Sequence, residues 1–344
     1  MTVTDDRFFR FVRDFLLVYL PKNRCCSENT VKSYRATIQL LRQFLSEQKN
    51  LPFSKITFDT ISRSVIGEFM DWLEIERKCG HSTLNQRLAA LKSFVGYAAQ
   101  EDATLMQCYV ELGKVPLKKV PTQPLCYLSE PALAALLQQP GVSHKRGIRD
   151  RFLMVLLYDT GARIQELLDL RIKDLHLNNS VPCVYLTGKG RKTRAVPLLK
   201  KTIEHLEVYM KHFHNELEYR DEDLLFYTVI KGKVGKMSCD NVALFLKRYA
   251  ETARAVCPEI PTRVHPHLFR HTRAMHLYQS GVPLSYIKDF LGHTSVNTTD
   301  IYASADIGML QSALEKAAVT SNHEQAISVW QDNEDLLLQL CGLQ

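Results

Sequence analysis

Apolar residues recur three and four positions apart along most of the chain, a spacing that predicts a mainly helical protein. The run "DRFFRFVRDFLLVYL" (6–20) keeps this period until "PKNRCCSEN" (21–29) interrupts it. A second helix is expected in "SENTVKSYRATIQLLRQFLSEQ", capped by Ser27 or Asn29, with Val31, Tyr34, Ile38, Leu41, Phe44 and Leu45 on one face. "RSVIGEFMDWLEIERKC" predicts a third helix ending near Gly80, and "STLNQRLAALKSFVGYAAQE" a fourth starting at a Ser82 or Thr83 cap. Four amphipathic helices on short connections make a small N-terminal bundle over 1–112.

"GKVPLKKVPTQP" (113–124) then breaks the pattern with three prolines and three lysines, the composition of a linker. Such a basic strap is either simply solvated or suited to closing around a polyanion. From about 128 the helical period resumes with one β interruption. "LSEPALAALLQQ" is expected to be capped by Ser129, "RGIRDRFLMVLLYDTG" to run into Gly161, and "ARIQELLDL" to form a short helix. "PCVYLTGKGRKTRAVPL" reads as two strands around a Gly-Lys-Gly turn. Helices follow to the end, giving a second domain over 125–320 and a tail helix over 321–344. That tail carries Ala326, Val329, Trp330, Leu336, Leu337 and Leu340 at helical spacing. The expected fold class is mainly α with a small β-hairpin or sheet, in two domains.

Length and composition agree with this division. A chain of 344 residues exceeds one ordinary core. Its balance of apolar and charged residues is that of a soluble globular protein. No apolar run is long enough to span a membrane, and "MTVTDDRFFR" lacks the order of a secretory signal, so a cytoplasmic location is expected. Cysteines stand at 25, 26, 79, 108, 126, 183, 239, 257 and 341, without a C-x-x-C pair. They are expected to be reduced and mostly buried rather than a disulfide framework or a zinc ribbon. The net charge of +7 permits a nucleic-acid partner without requiring one.

Four stretches carry candidate chemistry. In "GARIQELLDL", Arg163 lies near a helix N-terminus, where the helix dipole favours acids; it is either a solvated arginine or a ligand for an anion. In "TGKGRKTRAVPL", Lys189 sits at a hairpin tip between two glycines that allow close backbone approach, with Arg191, Lys192 and Arg194 following. It is either part of a solvated turn or a lysine delivered to a phosphate or a leaving oxygen. "HPHLFRHTRAMH" holds His265, His267, His271 and His276 with Arg270 and Arg273. If Pro266 opens a helix, His267 and Arg270 share a face. Guanidiniums beside the histidines and the absence of H-E-x-x-H argue against a metal site, and favour an oxyanion. In "DFLGHTSVNTTDIYASAD", Gly292 ends a helix, His293 follows, and Tyr302 stands nine positions later. The set lacks the acids that would hold magnesium.

Together these stretches resemble the tyrosine recombinase family, the phage-integrase and Xer-type site-specific DNA recombinases. "TGARIQELLDL" resembles the first arginine box, with Arg163 and then Glu166. "GKGRKTRAVPL" resembles the hairpin that carries the family's lysine, placing it at Lys189. "HPHLFRHTRAMHLYQSGVPLSYIKDFLGHTSVNTTDIY" resembles the second box throughout and supplies His267, Arg270, His293 and Tyr302. Phe269 and Ala162 depart from the usual leucine, or leucine and methionine, but keep apolar character. The N-terminal helices resemble the family's core-binding (SAM-like) domain in character only.

The resemblance implies a two-domain DNA clamp that cleaves and rejoins DNA through a 3′-phosphotyrosyl intermediate on Tyr302, without metal, ATP or other cofactor. Arg163, Arg270, His293 and in part His267 would stabilise the transition state. Lys189 would protonate the leaving 5′-oxygen and His267 would be the general base, with Glu166 and His271 in support and no catalytic role for His265 or His276. DNA contacts are expected from Thr30, Lys32, Ser33, Arg35, Ser82, Thr83, Asn85, Gln86, Arg87, Lys92, Lys118, Lys119, Arg191 and Lys192. The implied partners are double-stranded DNA with inverted-repeat core sites, three further copies of the chain on two paired sites with the tail docking in trans, and accessory DNA-bending proteins. Integration or excision of a mobile element is the favoured role, and no arm-binding domain of the lambda type is expected before the bundle. Dimer resolution, a type IB topoisomerase-like relaxing activity and a non-catalytic accessory member are the alternatives.

Overall fold

The computed structural model describes residues 6–121, 125–188, 190, 192–214 and 220–292. The chain divides into two compact units, Met1–Gln123 and Pro124–Gln344. Among the described residues the secondary structure is mainly helical, and no helix is long and apolar enough to cross a membrane.

In the first unit, α1 (Arg7–Asp14) continues into a π-helical stretch, Phe15–Asn23. Pro21 lies inside that stretch and cannot donate to the backbone ladder, a break that a wider turn accommodates. Helix α2 (Glu28–Lys49) begins at Ser27, whose hydroxyl accepts from the Thr30 amide at 3.2 Å, so Ser27 rather than Asn29 is the cap. Helices α3 (Arg63–Ile75), α4 (His81–Glu101) and α5 (Met106–Gly113) complete the unit. Helix α4 starts before the Ser82 or Thr83 cap read from the sequence: Gly80 is the cap and no side chain caps it. Its first residue, His81, is held instead by Lys119 and Glu74. Phe8, Phe15, Phe58 and Phe94 meet at the centre, with Phe8 and Phe94 edge to face at 5.6 Å.

The linker's first half is anchored to this unit. Asn85 donates to the Lys118 carbonyl and accepts from the Lys118 amide, both at 2.9 Å, as a neighbouring strand would. The His81 ring donates to the Lys119 carbonyl at 2.7 Å. Lys118 Nζ reaches Glu74 at 2.7 Å.

The second unit is built on α7 (Lys145–Thr160), whose Phe152, Leu153, Met154, Leu156 and Leu157 are all buried. Helices α6 (Glu130–Gln138), α9 (Lys200–Phe213) and α11 (Pro266–Gln279) pack against it. Further elements are α8 (Ile164–Leu168), α10 (Cys239–Arg254) and α12 (Leu284–Leu291). Strands β1 (Leu175–His176), β2 (Cys183–Thr187) and β3 (Thr193–Pro197) form one antiparallel sheet, with Val184 opposite Val196 and Thr187 opposite Thr193.

A second hairpin, β4 (Tyr227–Ile230) with β5 (Lys233–Lys236), corrects the reading of a single β interruption. Its turn is Lys231-Gly232, both at positive φ, a conformation that glycine accepts readily and lysine adopts at a cost. The thiols differ from expectation too. Of the eight described cysteines only Cys183 is buried, whereas Cys25 and Cys126 are exposed. Cys25 sits at positive φ between the π-helical stretch and α2, where the chain turns at the surface.

Candidate active site

The site grows from the end of α7. Gly161 caps that helix in the left-handed conformation, at φ +55°. A β-carbon there would stand 2.9 Å from Leu291 Cδ2 and 3.0 Å from Phe290 Cε1, so this turn needs glycine for space as well as backbone. Two residues on, Arg163 occupies the N-cap position of α8. Its guanidinium is held by a carboxylate of its own helix. Arg163 Nη1 donates to Glu166 Oε1 at 2.8 Å, and the Arg163 amide donates to Glu166 Oε2 at 3.0 Å.

Glu166 is almost wholly buried, its side chain 4% exposed, and it binds a second guanidinium: Arg194 Nη2 donates to Oε2 at 2.7 Å. Burial alone would raise the Glu166 carboxyl. The hydrogen bonds and charge of Arg194, with those of Arg163, outweigh it and hold the carboxyl down at about 2.

Arg270 lies on the inward face of α11 and is 2% exposed. Its two terminal nitrogens donate to the carbonyls of Gly161 and Leu291, each at 2.7 Å. Both carbonyls stand at helix C-termini, those of α7 and α12, whose partial negative charge offsets a buried cation. The two bonds also fix the plane of the guanidinium.

His267, one turn before Arg270, keeps an edge open to solvent. Loss of hydration, then the charges of Arg270, His265 and Arg163, lower its pKa, against the opposing pull of Glu166. His271 stacks beside it, ring centres 6.0 Å apart. Burial, and then His267, His265 and Arg270, push His271 down to about 4. His276 belongs to a different network. Its Nε2 donates to the Leu128 carbonyl at 2.9 Å, and its Nδ1 is hydrogen-bonded with the Tyr158 hydroxyl at 2.8 Å. Among the described residues no group of three or more His, Cys, Asp or Glu is placed to hold a metal ion.

These groups set the acid response. In the unfolded chain His271 binds its proton near 6.5, but in the fold only near 4. The contribution of His271 to stability is therefore fully present above about pH 6.5 and is lost as the pH drops towards 4. Glu166 adds a second loss, beginning near its ordinary value of 4.5 and running towards 2. The urea midpoint measured from pH 7 to pH 4 is expected to fall, and His271→Gln to make that fall shallower. A midpoint flat over this window contradicts the assignment.

The structure thus brings Arg163, Glu166, Arg270, His267 and His271 into one neighbourhood. Lys189, Arg191, His293, Tyr302 and the tail lie outside the described residues. Lys192 is exposed next to β3. In the first unit Lys32, Arg35, Ser82 and Gln86 face solvent on α2 and α4, and Lys119 on the linker. Other side chains expected to contact DNA are engaged within the unit. Arg87 donates to the Ser33 carbonyl and to Thr37 Oγ1, each at 3.0 Å, and Ser33 Oγ accepts from the solvent-facing Gln86 at 3.2 Å. Lys92 caps the end of α5 through the carbonyls of Gly113 and Val115. Thr30 Oγ1 lies 2.9 Å from the Ser27 hydroxyl, Thr83 is half-buried, and Asn85 and Lys118 are paired as described.

Arg194 is the residue that motif reading passed over. On β3 it shares the inward side with Val196, and period-two alternation through Leu198 marks that side as apolar. An arginine on such a face needs partners. It finds them in Glu166 and in the Phe290 carbonyl, to which Nε donates at 2.9 Å.

Known proteins resemble this chain in sequence and in fold. The phage integrase family matches residues 127–308, and the phage integrase N-terminal SAM-like domain matches 14–102. The Sinorhizobium fredii protein y4rC, provisionally described as an integrase/recombinase, is 32% identical over 96% of this chain and 97% of its own length. A tyrosine recombinase XerD of Staphylococcus epidermidis is 30% identical over 80% of this chain and 88% of its own. The fold is that of the Tn1549 transposon integrase, solved with transposon right-end DNA, at a TM-score of 0.67 and 19% identity, covering 88% of this chain and 98% of that one. The chain belongs to the phage integrase family, the tyrosine recombinases, site-specific enzymes that break and rejoin DNA by transesterification.

Proposed function

We propose that this recombinase integrates and excises a mobile element, with Tyr302 as nucleophile. The observation that carries the catalytic reading is the pair of oriented guanidiniums. Arg163 is held by Glu166, and Arg270 by two helix-terminal carbonyls. When the Tyr302 oxygen attacks a DNA phosphorus, negative charge grows on the non-bridging oxygens of a five-coordinate transition state. Preorganised arginines stabilise that charge, which is the task magnesium performs in two-metal enzymes. The phosphorus–oxygen bond to the 5′ side breaks as the tyrosyl bond forms, so the phosphodiester energy is kept for religation. Lys189 delivers the proton to the departing 5′-oxygen. His267, its pKa lowered by burial and then by its cationic neighbours, accepts the tyrosine proton, and His293 adds a hydrogen bond to the same phosphate. His271 backs His267.

In the same reading, Lys32, Arg35, Ser82, Gln86 and Lys119, with Arg191 and Lys192, meet the DNA backbone, while Arg87, Asn85, Lys92 and Lys118 shape the surface that carries them. Four copies assemble on two paired inverted-repeat sites, with the segment 321–344 docking in trans and accessory DNA-bending proteins assisting.

A second reading, dimer resolution, draws on the likeness to XerD, and one assay separates the two. On a plasmid carrying the chain's own gene and its flanking DNA, excised circles are expected, formed undiminished in excess EDTA. Conversion of plasmid dimers to monomers without excision would favour resolution. Relaxation of any supercoiled plasmid would indicate a topoisomerase. Loss of all activity in EDTA would overturn the arginine-based mechanism.

A further inference from the structure

We infer that Arg194 is a positioning residue for strand cleavage, a strut that locks three separate parts of the site into one register. Its Nη2 binds Glu166, the carboxylate that holds Arg163. Its Nε binds the Phe290 carbonyl at the C-terminal end of α12, next to the Leu291 carbonyl that orients Arg270. Its own backbone belongs to β3, the strand that begins at Thr193, four residues after Lys189 in the sequence. The inference rests on the catalytic reading above and adds a residue to it.

Two glycines mark how closely this strut is fitted. A β-carbon on Gly188 would lie 2.9 Å from Glu166 Oε1 and 3.8 Å from Arg194 Nη1. One on Gly292 would lie 3.2 Å from both Cδ and Nη1 of Arg194. Gly188 immediately precedes Lys189, and Gly292 immediately precedes His293. The backbone therefore passes the Arg194–Glu166 pair just before each of these two residues. Only a side chain with a planar fork serves here, because one group must meet a carboxylate and a carbonyl in different directions. The bland alternative is a partly buried ion pair that contributes to folding alone, which apolar residues could replace.

Catalysis separates the two. The full-length chain is tested on a nicked suicide duplex that traps the covalent adduct, in single turnover at saturating DNA. With circular dichroism unchanged, Arg194→Met is expected to slow adduct formation about 100-fold, the scale of a misplacement near 1 Å. DNA affinity should stay within about threefold. Arg194→Lys keeps the charge but not the fork and is expected to recover part of the rate. Because Arg194 acts through Glu166, adding Glu166→Gln to Arg194→Met should cost little more than the slower single change. Should Arg194→Met fail to fold, Arg194→Lys decides alone: a folded lysine variant about tenfold slow supports the strut, and one at the wild-type rate refutes it. A folded methionine variant cleaving within about threefold of wild type also refutes it, as does a rate loss matched by lost DNA affinity or a fully multiplicative double change. An absence of adduct from the wild-type chain would instead reject the catalytic reading itself.

Discussion

Replacing Tyr302 with phenylalanine is expected to abolish the covalent protein–DNA adduct, by about 10⁴-fold or more in single-turnover rate, with DNA binding intact. The change removes one oxygen and keeps the ring, so packing is disturbed little. In the proposed mechanism that oxygen is the atom that attacks phosphorus. Affinity for DNA, in contrast, is spread over many phosphate contacts and should move by less than about threefold. A suicide duplex resolved on a denaturing gel reads the adduct, and a mobility shift reads the affinity. An adduct persisting at the same scissile phosphate would mean a different nucleophile and would sink the mechanism. The prediction derives from the place of Tyr302, nine residues after His293 in the second box.

Arg270 comes next in size, and its replacement should separate catalysis from stability. Arg270→Ala leaves the Gly161 and Leu291 carbonyls without this donor in a buried site. At about 1–3 kcal/mol for each unsatisfied group, a marked fall in Tm is expected. In the proposed mechanism the same change also removes a forked donor from the transition state, worth about 10²–10³-fold in rate. Arg270→Lys is the sharper test. It retains the charge, and the buried site keeps a cation facing two helix C-termini, so much of the stability should survive. A single ammonium cannot reproduce a plane set by two carbonyls, so cleavage should still fall about 100-fold. Thermal melting and single-turnover cleavage at saturating DNA give the two numbers. A lysine variant that cleaves at nearly the wild-type rate would show that only charge matters at this position.

Much of the architecture was legible in the sequence, for local reasons. Ser27, Ser129 and Ser238 cap helices through their own hydroxyls, and for the first two the apolar period that follows marks the cap in the sequence. Gly161 and Gly292 end helices in the left-handed conformation, as their place after an apolar period suggests. The β4–β5 hairpin escaped because "YTVIKGKVGK" lacks the usual Asn-Gly or Asp-Gly turn, and β5 is exposed along its length, so no apolar alternation announces it. For the residues expected to contact DNA the sequence alone leaves the role open. A basic or polar residue on a helix looks the same in sequence whether it meets solvent, DNA or its own fold, and Arg87, Lys92 and Asn85 are held within the fold.

By itself the sequence determined most of the described helices (α5 excepted), where the glycine turns fall, and which arginines, histidines and tyrosine stand in the two boxes. These follow from neighbours within a few positions, where capping, backbone conformation and helical period operate. Only the tertiary structure decided how those groups are held. Arg270 is oriented by carbonyls 109 and 21 residues away, and Glu166 receives Arg194 from 28 residues away. No local period records such partners. They arise because burying a charge compels it to find compensating groups wherever the packed core places them.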